Sequence, residues 1–323
     1  MKTARMKTAC PLLLTLLLCA PAAPADELDD KMAGLLLPVA RVMCRNSGGS
    51  GTVVYSADRD EAGRYETFVL TNRHVVAGAL RIVSKWNSMK GRYENVEQRD
   101  RVKVETFVYD GGKVVLTHDF DADIVAHSEI HDLAVLRLCY PRKVESVAPL
   151  LPPAASLRLF QPVFAVGCSL LHDPIATSGH VTALEDIIDG EAYCMCTAPI
   201  IFGNSGGGVF VEVGGAWFLA GVPSRIAVSS GSPITHMAWF TPPDRIRQWV
   251  KEQMLDFLVD AERTPKQCFE ERAKLLSPAV PDQSGPAPRN YDGLSAPPAP
   301  PDARPEPAPD ARPVPAPAVV PVP

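Results

Sequence analysis

Phe202-Gly203-Asn204-Ser205-Gly206-Gly207-Gly208-Val209-Phe210 is the stretch on which the fold of this chain turns. A serine set among glycines just ahead of an apolar strand is one way hydrolases present a nucleophilic hydroxyl. Glycine takes positive φ and lets other backbone approach closely. The N–H groups of Gly203 and Ser205 can therefore aim at a single carbonyl oxygen, which is the layout of an oxyanion hole. Taken alone, a Gly/Asn/Ser run between apolar segments is more often an ordinary turn.

Two other segments change that weighing. In Phe68-Val69-Leu70-Thr71-Asn72-Arg73-His74-Val75-Val76-Ala77-Gly78 a short apolar strand runs into a histidine and a small-residue turn. In Ile130-His131-Asp132-Leu133-Ala134-Val135-Leu136-Arg137-Leu138 an aspartate opens an almost wholly apolar strand, which places its carboxylate at a strand end and partly out of water. The chain order His74, Asp132, Ser205 on three strand-flanked segments is that of the chymotrypsin-like double barrel, and differs from the orders in subtilisin and the α/β-hydrolases.

With these residues in view, the chain resembles trypsin-fold serine proteases of the bacterial HtrA/Deg type. The resemblance runs through Gly48-Gly49-Ser50-Gly51-Thr52-Val53-Val54, Thr71-Asn72-Arg73-His74-Val75-Val76, Asp132-Leu133-Ala134-Val135-Leu136, Ala165-Val166-Gly167, Ser178-Gly179-His180-Val181 and Gly203-Asn204-Ser205-Gly206-Gly207. It covers residues 38–250 and is most specific at the His and Ser motifs. It implies an all-β fold, a chymotrypsin-like double β-barrel with a C-terminal helix, and an endopeptidase acting on polypeptides, some of them unfolded. There are three departures. His74 and Asp132 stand 58 residues apart, which suggests an inserted loop. No PDZ-like segment follows, and Cys168 trails the Ala-Val-Gly motif.

The chemistry requires these residue types. A serine hydroxyl is a weak nucleophile at neutral pH, so His74 must take its proton during attack and return it to the leaving amine. Asp132 holds the useful imidazole tautomer and stabilises the imidazolium without accepting the proton. Gly203 and Ser205 supply the oxyanion donors. The other histidines, His118, His127, His131, His172, His180 and His236, read as surface or core residues. Asp119, Asp121 and Asp123 lie in a polar, looping stretch and read as solvated. In the trypsin fold the base of the primary pocket lies six residues before the nucleophile, here Pro199, with its wall at Gly221-Val222-Pro223-Ser224-Arg225. Pro199, Val222, Pro223 and Ser224 are thus the candidate substrate-binding residues. With no acid among them, Lys or Arg specificity is not supported, and small or medium apolar residues are the expected preference. Arg225 turned inward would instead favour an acidic residue. A different class of function stays open, a catalytically silent peptide-binding or chaperone-like module that holds segments by strand addition.

The formal charge of −5 offers no basic footprint, so nucleic acid is not an expected partner. No cofactor and no metal is called for, since Cys194-Met195-Cys196 is not a zinc spacing and no matching Cys/His pair follows. Residues 1–25 read as a secretory signal peptide, with Lys2, Arg5 and Lys7 ahead of an apolar Leu12–Ala20 core and an Ala23-Pro24-Ala25 cleavage site. Cys19 follows leucines rather than a small residue, which argues against lipidation. No other segment is long and apolar enough to span a bilayer. Export, to the periplasm or beyond, favours disulfides among Cys44, Cys139, Cys168, Cys194, Cys196 and Cys268, with Cys168 able to reach Cys194 or Cys196.

The protease domain is expected over residues 26–262. Its strands are anticipated at Thr52–Tyr55, Thr67–Leu70, Val102–Tyr109, Val163–Val166, Gly208–Val213 and Trp217–Val222. The polar Lys85–Arg101 stretch reads as an inserted loop. Past Pro243, Ile246, Trp249, Val250, Met254, Phe257 and Leu258 recur at spacings of three and four, one face of an amphipathic helix against the second barrel. A helical extension occupies 263–276. Residues 277–323 hold 16 of the 32 prolines and an imperfect repeat of Pro-Asp-Ala-Arg-Pro, and read as a disordered Pro-rich tail.

Overall fold

Short β-branched runs broken by Gly, Pro and Asp pair antiparallel with their neighbours, and in this chain they close on themselves twice. The computed structural model describes residues 27–276 except 46, 60 and 61. The signal peptide expected at 1–25 and the tail expected at 277–323 lie outside the described residues.

The first barrel is built from β1 (Val39–Cys44), β2 (Ser47–Arg59), β3 (Tyr65–Thr71), β6 (Val102–Asp110), β7 (Lys113–Ser128) and β8 (Leu133–Leu138), in the closed order β1-β2-β3-β8-β7-β6. The second is built from β9 (Pro162–Gly167), β10 (Ile175–Ile188), β11 (Glu191–Cys196), β12 (Gly208–Val213), β13 (Ala216–Ser229) and β14 (Ser232–Thr241), in the order β10-β11-β14-β13-β12-β9. This is the chymotrypsin-like double β-barrel. Each barrel fills its interior with small and branched side chains. Val42, Val69, Val104 and Leu136 lie in the first interior, and Val163, Val181, Val209 and Phe240 in the second.

Two acidic or polar stretches that read as loops are strands. Lys85–Arg101 falls in a separate two-stranded hairpin of β4 (Leu80–Asn87) and β5 (Arg92–Arg99). Its alternation is hard to see in sequence because neither face is buried deeply, and Ile82, Trp86 and Tyr93 remain exposed. Asp119, Asp121 and Asp123 sit on β7, where Asp121 pairs with Lys103 at 2.8 Å and Asp123 with Arg101 at 2.9 Å across to and beside β6.

A third apolar cluster joins the barrels. It combines Phe68, Leu70 and Val135 of the first with Phe210, Leu219 and Val222 of the second, and it also contains Ile246, Trp249, Val250 and Phe257 from the C-terminal segment. Helix α3 (Pro243–Glu252) carries most of these; the earlier helices α1 (Glu27–Lys31) and α2 (Arg73–Val76) are each about one turn. The apolar periodicity outruns α3. Met254 takes φ +54°, Leu255 N–H returns to Val250 O at 2.8 Å, and the chain continues as a short 3₁₀ turn. That left-handed residue with a return hydrogen bond is a helix stop. Helix α4 (Pro265–Leu276) follows, and its Phe269 lies 6.1 Å from Phe68.

The expected disulfides do not form. All six cysteines of the described residues are free, and all but Cys139 are buried. Cys44, Cys194 with Cys196, and Cys268 belong to three separate clusters, so a thiol from one has no partner in another. They pack as small apolar side chains. Burial pushes the Cys168 and Cys194 thiols up to about 12 and that of Cys196 up to about 11. Among the described residues no helix is long and apolar enough to cross a membrane.

Candidate active site

The candidate base, His74, and its candidate partner, Asp132, are placed by the first barrel. β3 delivers the chain to Asn72, at the N-cap of α2, and buried Val75 and Val76 pin that single turn into the barrel core. His74 is left on the outer face of α2. Asp132 lies in the turn just before β8 rather than within a strand, at φ +48°, a conformation that Asp tolerates better than most residues. The turn is held in place through its carbonyl, which accepts Asn72 Nδ2–H at 2.7 Å and Arg73 N–H at 3.2 Å.

Asp132 is 18% exposed and both its carboxylate oxygens are in use. Oδ1 accepts the His74 backbone N–H at 3.0 Å, and Oδ2 accepts His74 Nδ1–H at 2.7 Å and the Ser224 hydroxyl at 2.8 Å. Burial alone pushes this carboxyl upward. The imidazole hydrogen bond and charge, the Ser224 hydroxyl and the backbone N–H outweigh that and hold it below the ordinary carboxylate value. A carboxylate on Nδ1 fixes the proton there and leaves Nε2 as an acceptor. His131, next in sequence, points the other way, with Nδ1 3.0 Å from Glu191 of the second barrel.

The candidate nucleophile, Ser205, belongs to the second barrel, in the turn between β11 and β12. Four successive peptide planes there follow one rule. Every carbonyl is engaged: Phe202 O by Leu170 N–H at 2.7 Å, Gly203 O by Ser50 Oγ–H at 2.6 Å, Asn204 O by Gly207 N–H at 2.9 Å, and Ser205 O by Ser50 N–H at 2.8 Å. Two of the N–H groups are also engaged, Asn204 to Ile201 O at 3.1 Å and Gly206 to Pro223 O at 3.2 Å. The N–H groups of Gly203 and Ser205 have no acceptor among the described residues. Since C=O and N–H point oppositely in a trans peptide, fixing the carbonyls fixes these two donors. Glycine is required at the two bends. A Cβ on Gly203, at φ +96°, would lie 2.4 Å from Cys168 O, and one on Gly206, at φ +86°, would lie 2.2 Å from Ser50 O.

Ser205 and His74 line one groove of about 650 Å³. No hydrogen bond joins the Ser205 hydroxyl to the imidazole. Pro223 and Ser224 also line this groove, whereas Pro199 and Val222 do not. Pro199 is exposed, its carbonyl taken by Thr177 Oγ1–H at 2.7 Å, and Val222 is buried in the core shared by the barrels. The apolar lining comes instead from Ile188, Ile200, Ile201, Ile226, Val228 and Trp239. Arg225 is at the groove but turned aside, with Nη1 2.8 Å from Asp189 and its guanidinium 5.3 Å from the centre of the Tyr193 ring. That orientation counts against an acid-selecting pocket.

Sequence reasoning missed three supporting residues. Asn72 and Ser50 fall inside the motifs, but the sequence gives neither a role. Ser224 was read as pocket wall, yet its hydroxyl reaches Asp132 because β13 and β14 slip register between Pro223 and Arg225, leaving Ser224 unpaired. The bulge is announced in sequence only by Pro223, which cannot donate to a ladder.

A family model described as "Trypsin-like peptidase domain" matches residues 49–217. Among solved structures the chain is similar to an HtrA-type protease, AlgW, a serine-to-alanine variant with a tripeptide, at 20% identity and TM-score 0.49 over 71% of this chain and 63% of that one. It is also similar to the serine endoprotease from Yersinia pestis, at 19% identity and TM-score 0.46 over 72% of this chain and 67% of that one. The chain thus spans under two thirds of the length of the first of these structures. No curated protein matches its sequence.

Proposed function

Since the chain belongs to the trypsin-like peptidase family and is therefore a serine protease, we propose that it is an endopeptidase that cuts through a Ser205, His74 and Asp132 triad and an acyl-enzyme. The observation that carries this reading is the Asp132 carboxylate on His74 Nδ1 at 2.7 Å, beside a groove that also holds Ser205. In the proposed reaction Ser205 Oγ attacks the scissile carbonyl as its proton passes to His74 Nε2. Asp132 stabilises the resulting imidazolium. The oxyanion sits between the N–H groups of Gly203 and Ser205, whose orientation is set before substrate arrives. Each such donor is worth about 3 kcal/mol of transition-state stabilisation. The imidazolium then protonates the leaving amine, and water activated by the same histidine releases the acyl group.

The groove lining supports cleavage after small or medium apolar residues of polypeptide substrates, and the signal-like residues 1–25 support an exported enzyme. A fluorophosphonate probe tests the core of the proposal. The mature protein is expected to label and Ser205→Ala is not. Absence of labelling across pH, temperature and added peptide activators would establish the silent peptide-binding module instead. A peptide-library cleavage profile then reads the preference directly, and cleavage confined to Lys, Arg, Asp or Glu would overturn the apolar assignment.

A further inference from the structure

Ser50 lies on β2 of the first barrel, fully buried, and touches the nucleophile turn of the second through both its main chain and its side chain. Its N–H donates to Ser205 O at 2.8 Å and its Oγ–H donates to Gly203 O at 2.6 Å, while Oγ accepts Cys168 N–H at 2.7 Å. Its own carbonyl is held by Thr71 Oγ1–H at 2.6 Å. The two carbonyls it holds belong to the peptide planes on either side of the plane that carries Ser205 N–H. That middle plane cannot rotate without disturbing one of its neighbours, and both neighbours are tied to Ser50. The hydroxyl is also the meeting point of two segments that shape the donors, since Cys168 opens the turn whose Leu170 N–H fixes Phe202 O and hence Gly203 N–H.

We propose that the Ser50 hydroxyl is a positioning residue for the oxyanion donors, holding the Gly203 and Ser205 N–H groups aimed into the groove. This rests on the proposed triad mechanism. Removing the hydroxyl leaves Gly203 O and Cys168 N–H buried without partners, which is costly enough to make the turn relax. The barrels stay closed, because Ser50 N–H and the β1–β2 and β2–β3 ladders are unaffected. No hydrogen bond joins Ser50 to Pro223 or Ser224 of the groove wall, so the effect is expected on the step in which negative charge develops on the carbonyl oxygen.

The test is Ser50→Ala in the full mature chain, beside Ser56→Ala as a control. Ser56 is another buried serine of β2, bonded to Thr67 Oγ1 at 2.7 Å and to Val144 N–H at 2.8 Å, away from the groove. Four readouts are compared: kcat and KM on a fluorogenic peptide with a P1 valine, affinity for the corresponding peptide boronic acid, affinity for the cleaved product peptide, and Tm. The expectation for Ser50→Ala is a kcat lower by about tenfold or more, a matching loss of boronate affinity, and KM and product affinity within about twofold of wild type. Ser56→Ala is expected to lower Tm without moving the boronate affinity. Ser50→Cys, which keeps a longer and weaker donor, is expected to recover part of the loss, and carries the same comparison if the alanine variant does not fold. Boronate affinity and kcat within about twofold of wild type, or losses equal to those of Ser56→Ala, would overturn the role of Ser50 alone. A wild-type protein that neither labels with fluorophosphonate nor cuts peptide would instead overturn the triad reading on which it stands.

Discussion

The two barrels contribute to the groove in opposite ways. On the first, Asp132 accepts hydrogen bonds on both carboxylate oxygens and on its carbonyl, and His74 is held through its main-chain N–H and its ring Nδ1. On the second, the turn around Ser205 uses up its carbonyls and leaves two N–H groups and a hydroxyl without partners among the described residues. The first side is satisfied within the protein, with one of its hydrogen bonds supplied by Ser224 of the second barrel; the second leaves donors free for a substrate carbonyl. In the proposed reaction the difference separates two tasks. Imidazole orientation must be correct before the substrate arrives, whereas donors that stabilise a developing charge are most useful when nothing internal competes for them.

The most severe way to break this comparison is Ser205→Ala, which leaves the base side intact and is expected to lower kcat about 10⁶-fold, whereas Asp132→Asn, acting on the satisfied side, is expected to cost about 10⁴-fold. Single-turnover acylation of a P1-valine ester reads both. If the asparagine variant retains full activity, the base side is not organised as described. Gly203→Ala comes next. Its Cβ would sit 2.4 Å from Cys168 O at a φ that alanine avoids, and loss of one donor is expected to lower kcat by about 10²-fold to 10³-fold with KM little changed. An unchanged kcat would show that Gly203 N–H does not meet the oxyanion. Ser224→Ala is smaller, about tenfold in kcat/KM, because Asp132 keeps its two bonds to His74 and a single hydrogen bond to a charged group is worth about 1.5–3 kcal/mol.

The smallest effect concerns stability rather than rate. The Cys168, Cys194 and Cys196 thiols are raised to about 12, 12 and 11 by burial. A group whose folded pKa is raised stabilises fully below its unfolded value and loses that contribution as pH climbs toward the folded one. Tm is therefore expected to be flat up to about pH 8.5 and then to fall toward pH 11 as unfolded thiols ionise. Replacing Cys194 and Cys196 by alanine should flatten that alkaline slope, as measured by scanning calorimetry. A slope identical to wild type would show that these thiols ionise in the folded state.

The double barrel was legible because period-two runs punctuated by turn residues report directly on strands, and His74, Asp132 and Ser205 stand in motifs with local chemical meaning. What sequence left unread depended on contacts distant along the chain. Ser50 is ordinary as a strand serine, and its proposed role emerges only where Gly203, 153 residues further along, is brought against it by the fold. Pro199 was placed by counting back from the nucleophile, but its carbonyl is drawn to Thr177, which turns the residue outward. The even cysteine count suggests pairing, yet all six among the described residues are free, with Cys44, Cys194 with Cys196, and Cys268 held in three separate clusters. The apolar spacing runs on through Met254 and Phe257, whereas the helix itself stops at Glu252, so periodicity alone overruns it.

The cluster in which α3 and its 3₁₀ continuation meet both barrels has an implication for timing. Trp249 and Phe257 come after every residue of the groove in the order of synthesis, and they pack into the apolar cluster that joins the two barrels. A ribosome-bound chain that has emerged as far as Thr241 already carries His74, Asp132 and Ser205 but lacks this part of the cluster. Proteolytic competence is thus expected to be withheld until the final helices dock, which spares neighbouring nascent chains. Stalled chains of graded length, challenged with fluorophosphonate, would show whether reactivity switches on only after Phe257 clears the exit tunnel.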